Sequence, residues 1–228
     1  MRISAPMGGF PGRKLQTRPE GTTLGRTMGK YEKRKPVKPQ RKLSKRQEFV
    51  RNLDSVYIIA LILTLYMLFF RVVVVIGPSM YDTLIQGDRL VLLSSFLYTD
   101  PQQGDIIVAS KESFDNGECF VKRVIALEGQ TVDIDFDAGI VYVDGCALEE
   151  DYIHTPTTRP EGVQFPLTVE DGHIFVMGDN RDSSLDSRSP QIGLVDKREI
   201  VGKAIFILSP GNNGGKETPR YDRIGWIG

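Results

Sequence analysis

Three short stretches of this chain hold residue types that can do covalent chemistry. The first is Val72–Leu84, VVVVIGPSMYDTL, which presents Ser79 directly after a glycine-proline turn. A serine hydroxyl is a weak nucleophile until a base takes its proton. The second is Cys119–Gly129, CFVKRVIALEG, with Lys122 inside an apolar, strand-like run. Period-2 alternation puts Phe120, Lys122 and Val124 on one face, so the lysine stands on a solvent face or in a semi-apolar groove. The third is Gly178–Arg188, GDNRDSSLDSR, a dense polar turn with three Asp, two Arg, three Ser and one Asn. Taken singly, each has a plain reading: an exposed turn serine, an edge lysine that blocks aggregation, and a solvated loop.

Other chemistries fit worse. Tyr81 stands where the second glycine of a G-x-S-x-G elbow belongs, and no helix pattern follows. A Ser-His-Asp triad would need His154 or His173, the two histidines of the chain, and neither has a distinctive context. Cys119 and Cys146 form no C-x-x-C, and no metal or other cofactor is expected. Spacing cannot show whether they pair; two independent thiols in two strands is the expectation. The acidic alternation Asp133–Gly139 has Ala138 where a calcium loop needs glycine, so it reads as a strand.

The elements that must position these groups follow from pattern. Residues 1–55 carry 15 Lys and Arg against 4 Asp and Glu, and residues 56–228 carry 14 against 25. Residues 1–52 are too poor in apolar groups to offset ordering entropy and read as a disordered basic tail. Without interleaved aromatics the tail suits anionic lipid rather than nucleic acid. Ser55–Phe70 is uncharged for 16 residues, about 24 Å as a helix. With its flanks it is expected to form one transmembrane helix over residues 53–71. The basic excess places residues 1–52 in the cytoplasm and 72–228 across the membrane. From Val72 onward short β-rich runs alternate with turn residues: Arg89–Leu93, Asp105–Ala109, Phe120–Glu128, Thr131–Phe136, Ile140–Val143, His173–Met177 and Ile200–Leu208. This spacing predicts an all-β domain of antiparallel sheets, sandwich or barrel-like, over residues 72–228. Ala138-Gly139 and Asp144-Gly145 read as hairpin turns. Residues 156–164 read as a loop, and 211–228 as a tail lying over the domain.

GPSMYDTL, GDRLVL, KRVIALEG and GDNRDSSLDSR, in this order after one apolar span, resemble the boxes of bacterial type I signal peptidases. That family comprises membrane-bound Ser/Lys endopeptidases that remove signal peptides from exported preproteins. The resemblance covers roughly residues 50–210 and extends to the RIGWI end. It implies that Ser79 is the nucleophile, Lys122 the general base and Ser184 the hydroxyl that orients the amine. It further implies a structural ion pair of Asp186 and Arg188, supporting polar positions at Asp179 and Arg181, and small-residue pockets lined by Val73, Val75, Leu84 and Val121. Cleavage after Ala-x-Ala-like sites would follow. Two positions depart from the family pattern: Asp82 stands where proline is common, and Gly77 lacks a hydroxyl that some members use in the oxyanion hole.

The chemistry sets a requirement. A free lysine titrates near 10.4, so at neutral pH about one in a thousand or fewer is a base. Lys122 therefore needs its pKa lowered by ~2–3 units through burial, with no carboxylate, Asp82 and Asp186 included, bound to the amine. A self-cleaving Ser/Lys regulator would show a DNA-binding N-terminal domain and no apolar span. A non-catalytic membrane-tethered β-module would leave Ser79, Lys122 and Ser184 unexplained.

Overall fold

The computed structural model describes residues 44–227 except 113, 115 and 116. The basic tail over residues 1–43 lies outside the described residues. Helix α1 spans Lys45–Phe69 and runs directly into β1, Phe70–Val74. Both ends differ from expectation. The helix starts eight residues before position 53, because KRQEFVRNLD is made largely of good helix formers. It stops before Arg71 because β1 already pairs with β2 (Arg89–Ser94) at Phe70, opposite Leu93, so ladder bonds claim the backbone there. Among the described residues, no helix is long and apolar enough to cross a membrane.

The remaining strands are β3 (Ile106–Ser110), β4 (Cys119–Leu127), β5 (Thr131–Asp135), β6 (Ile140–Val143), β7 (Cys146–Ala147), β8 (Leu167–Thr168), β9 (His173–Met177), β10 (Val195–Asp196), β11 (Ile200–Ser209) and β12 (Gly225–Trp226). The seven runs read from alternation all form strands, with ends shifted by one residue at most. The strands not anticipated, β7, β8, β10 and β12, are two residues long, too short to show a period. All pairings are antiparallel. One sheet runs β1-β2-β11-β3-β4-β9-β10 with β12 on β11; the other runs β7-β6-β5-β8. Both expected hairpins are present, joining β5 to β6 and β6 to β7.

The large sheet is covered on both faces. Leu90, Leu92, Ile106 and Val108 pack with Val75, Met80 and Leu84 in one cluster. Ile107, Ala109, Phe120 and Val124 point the other way into a second. The small sheet closes a third cluster, where Val132, Ile134, Val141 and Val143 meet Ile125, Phe175 and Met177. Burying such side chains contributes ~1.5–3 kcal/mol each. The C-terminal segment packs on the domain as expected. Phe206 and Trp226 meet edge to face, with ring centroids 5.4 Å apart. Arg223 binds the fully buried Asp88 through both oxygens.

Candidate active site

Ser79 follows β1 on a turn that begins at Gly77, whose φ of +86° lies where side chains are strained. The turn closes by Tyr81 N–H donating to Pro78 O (3.1 Å) and Leu84 N–H to Met80 O (2.7 Å). It is tied to the polar turn as well: Asn180 donates from its backbone to Ser79 O (3.0 Å) and from its side chain to Pro78 O (3.1 Å). Thr83 Oγ1 donates to Asp179 Oδ2 at 2.5 Å.

Lys122 sits in the middle of β4, opposite Ile107 of β3. Its Nζ lies 2.9 Å from Ser79 Oγ and 3.0 Å from Val121 O. The side chain enters a groove rather than solvent, and the residue is 4% exposed. Burial is the main reason that its pKa falls from 10.5 to about 8; Arg188 pushes the same way, while the charges of Asp186, Asp179 and Glu161 oppose it. Among the described residues, no carboxylate contacts the amine. Asp82 bonds His154 instead, at 3.0 Å, and Asp186 is held by Arg188 and by Gly178 N–H. A buried, mostly desolvated amine against a serine hydroxyl has the arrangement that general-base activation of a nucleophile requires.

One supporting charge pair is local and two reach across the fold. Asp186 and Arg188 do meet, at 2.8 and 2.9 Å, both fully buried. Asp179 pairs with Arg123, at 2.9 and 2.7 Å, rather than with Arg181. Arg181 goes to Glu150 and Thr157. Arg123 thus turns away from the Lys122 side, stacks over the Tyr152 ring at 4.0 Å and fastens β4 to the polar turn.

Ser184 is buried in the same region, but its Oγ makes no hydrogen bond, and the second partner of the amine is Val121 O. Ser184 packs instead against Gly178. A Cβ built on Gly178 would lie 2.2 Å from Ser184 Oγ and 2.5 Å from Ser79 O. Gly178→Ala should therefore displace both serines. We expect a loss of ~1–3 kcal/mol by urea denaturation together with a fall in activity, whereas a mere gain in helix or strand propensity would leave both unchanged.

A groove of about 340 Å³ runs from Ser79 between Val73–Pro78 and Glu118–Lys122, floored by Val108. Val73, Val75 and Val121 line it as expected. Leu84 does not: the tight turn after Met80 rolls it inward, where it is fully buried in the core. Phe114, Glu118, Cys119 and Leu185 complete the wall and were not anticipated. Glu118 and Cys119 could have been found, since they lead along the strand to Lys122. Phe114 and Leu185 come from loops whose path no local pattern reveals. Both cysteines are free and exposed.

A family model described as signal peptidase, peptidase S26 matches residues 47–209. A probable signal peptidase I-1 of Synechocystis sp. is 39% identical over 178 residues, covering 74% of this chain and 87% of that protein. Signal peptidase I of Bacillus licheniformis is 32% identical over 173 residues, with 72% and 89% covered. A crystal structure of a signal peptidase I from Enterococcus faecalis V583 aligns with a TM-score of 0.39 at 33% identity, over 46% of this chain and 96% of that one.

Proposed function

The chain belongs to the signal peptidase, peptidase S26 family, and on that premise we propose that it is a Ser/Lys endopeptidase cleaving signal peptides from exported preproteins after Ala-x-Ala-like sites. The observation that carries the reading is the 2.9 Å contact between Ser79 Oγ and a buried Lys122 amine. The substrate strand adds to the free edge of β1 near Val73–Ile76 through main-chain bonds. Val73, Val75 and Val121 leave room beside it for small side chains. Neutral Lys122 takes the Ser79 proton as Oγ attacks the carbonyl carbon. The oxyanion is met by the Ser79 N–H, which donates to no protein group among the described residues. Lys122 then returns the proton to the leaving amine, giving the acyl-enzyme, next takes a proton from the water that attacks the ester, and passes it to Ser79 Oγ as the ester bond breaks. Ser184, whose buried Oγ has no hydrogen-bond partner, is the hydroxyl that the family resemblance assigns to steadying the amine during these transfers. Asp186–Arg188, Asp179 and Arg181 hold the platform beneath.

The same reading places the protein at a membrane. The apolar stretch of α1 from Val56 to Leu68 exposes large side chains along its length, Val56 at 59%, Leu61 at 59% and Met67 at 70%. Burying them in lipid removes that surface from water. The basic excess of residues 1–55, 15 Lys and Arg against 4 Asp and Glu, suits the anionic head groups of the same membrane. Phe96 and Leu97 are exposed beside α1, where the Phe96 ring lies tilted against Phe69 at 6.0 Å between centroids, and they dip into the same lipid. Tyr98 does not join them, because its hydroxyl bonds Asp105 at 2.6 Å.

Cleavage of a preprotein in detergent tests this. Wild type should release the mature protein with one new N-terminus after a small residue, and Ser79→Ala should not. Equal cleavage by both would sink the reading. The pH profile is a second expectation. Only neutral Lys122 is competent, so kcat/KM should rise with pH through a midpoint near 8 and not fall again in the way a required lysine cation would impose.

A further inference from the structure

The groove beside Ser79 has two walls that both run toward the reacting pair. One is the chain from Val73 to Ser79, the other the chain from Glu118 to Lys122. Strand β4 pairs with β9 only from Arg123 onward, so along Cys119–Lys122 the edge away from β3 is open among the described residues. Distance along this wall therefore counts substrate positions. A strand rises about 3.3 Å per residue, which puts Glu118, four residues before Lys122, roughly 13 Å from it along the wall. The small side chains before the cut lie against Val73, Val75 and Val121. Continuing the substrate strand at the same rise brings its fourth or fifth residue before the cut to Glu118.

That end of the groove has the chemistry to hold a cation. Among the described residues that line the groove, Glu118 carries the one carboxylate and Lys122, at the far end, the one cation. Glu118 is exposed, and among the described residues it has neither a hydrogen bond nor an ion pair. Lys111, next in register beyond the Ser110–Cys119 pair, is already committed: its Nζ donates to Ile192 O and Leu194 O, each at 2.6 Å. Phe114 lines the groove as well, half-buried and edge-on to Phe120 with ring centroids 5.1 Å apart. Its loop is pinned by Gly117 N–H donating to Phe114 O (2.8 Å) and by Ser110 Oγ donating to Gly117 O (2.7 Å). An aromatic ring attracts a cation, and it gives the apolar stem of a lysine or arginine a surface to lie on.

We infer that Glu118, together with Phe114, determines specificity: the pair selects preproteins with lysine or arginine at the fourth or fifth position before the cleavage site and disfavours acidic residues there. The inference rests on the peptidase reading for the bond that is cut, and binding to the groove tests it apart from that reading. An exposed ion pair is weak, so the preference is a few-fold and falls as salt screens it.

The test uses the full-length protein in uncharged detergent and peptides that span the cleavage site. The peptides differ only in a single Lys, Gln or Glu, placed in turn at the second to sixth positions before the cut. Wild type should favour Lys over Gln about 2- to 5-fold in kcat/KM at position four or five, with Glu poorer than Gln by a similar factor. The contrast should be absent at position two. Glu118→Gln should erase it and Glu118→Lys should invert it. Fluorescence anisotropy of the same peptides on Ser79→Ala reads the contrast in binding without cleavage. A wild type with no contrast at position four or five, or a contrast that both Glu118 variants leave unchanged, overturns the inference while cleavage itself leaves the peptidase reading standing. A binding contrast that Glu118 controls, in a protein that cleaves none of the peptides, upholds the cation site and removes the peptidase reading instead.

Discussion

Lys122→Met should abolish cleavage and yield a more stable protein. The activity loss should be about 10³-fold or more, since general-base assistance contributes 10²–10⁴-fold and the hydroxyl of Ser79 has no other base in contact among the described residues. The stability gain follows from the same burial. Lys122 titrates near 8 in the fold rather than 10.5, so at pH 7 it is charged in a place that disfavours charge. Between those two values the unfolded chain binds more protons, and stability rises with pH. Below them the full penalty applies. Methionine fills a similar volume without a charge, so urea denaturation at pH 7 should show a gain of ~1–3 kcal/mol. The gain should shrink above pH 10, where wild type is neutral in both states. A variant that is less stable than wild type at pH 7 would mean that the amine is well solvated, and the account of its basicity would go with it.

Asp179→Ala should be the most damaging single change outside the reacting groups. Asp179 is fully buried and accepts three bonds, two from Arg123 and one from Thr83. Its loss strands the Arg123 guanidinium inside the domain, which costs about 3–5 kcal/mol. For a domain of this size that is a fall in Tm of roughly 10 °C or more. Activity should fall further than stability alone explains, because Thr83 belongs to the turn that carries Ser79. Thr83→Val separates the two effects: it leaves the Arg123 pair intact and removes the tie to the turn. It should lower kcat more than Tm, read from cleavage rates and thermal unfolding of the same preparations. If Thr83→Val cleaves like wild type, Asp179 serves the fold alone.

Much of this was legible beforehand because local physics carried it. The seven long strands show alternation bounded by glycine and aspartate turns, and their registers then follow from which face is apolar. Ser79, Lys122 and the polar turn could be set in order along the chain, and the need for a desolvated amine follows from the ordinary pKa of lysine. What could not be read was which groups meet across the fold. Residue types name no partner for Asp179 or Arg181, whereas antiparallel pairing of β4 with β9 sets Arg123 opposite Met177, two residues before Asp179. The guanidinium therefore reaches Asp179 first, and Arg181 is left to Glu150. Leu84 looked like a pocket residue until the turn after Met80 rolled it into the core. Ser184, aligned with the amine by resemblance, makes no hydrogen bond to it and lies against Gly178. The chain alone determined the reacting residues and the strands that bear them, since both depend on residue type and short-range period. Tertiary structure decided the burial of Lys122 and the partner of every buried charge, because desolvation and ion pairing depend on what arrives from elsewhere in the chain.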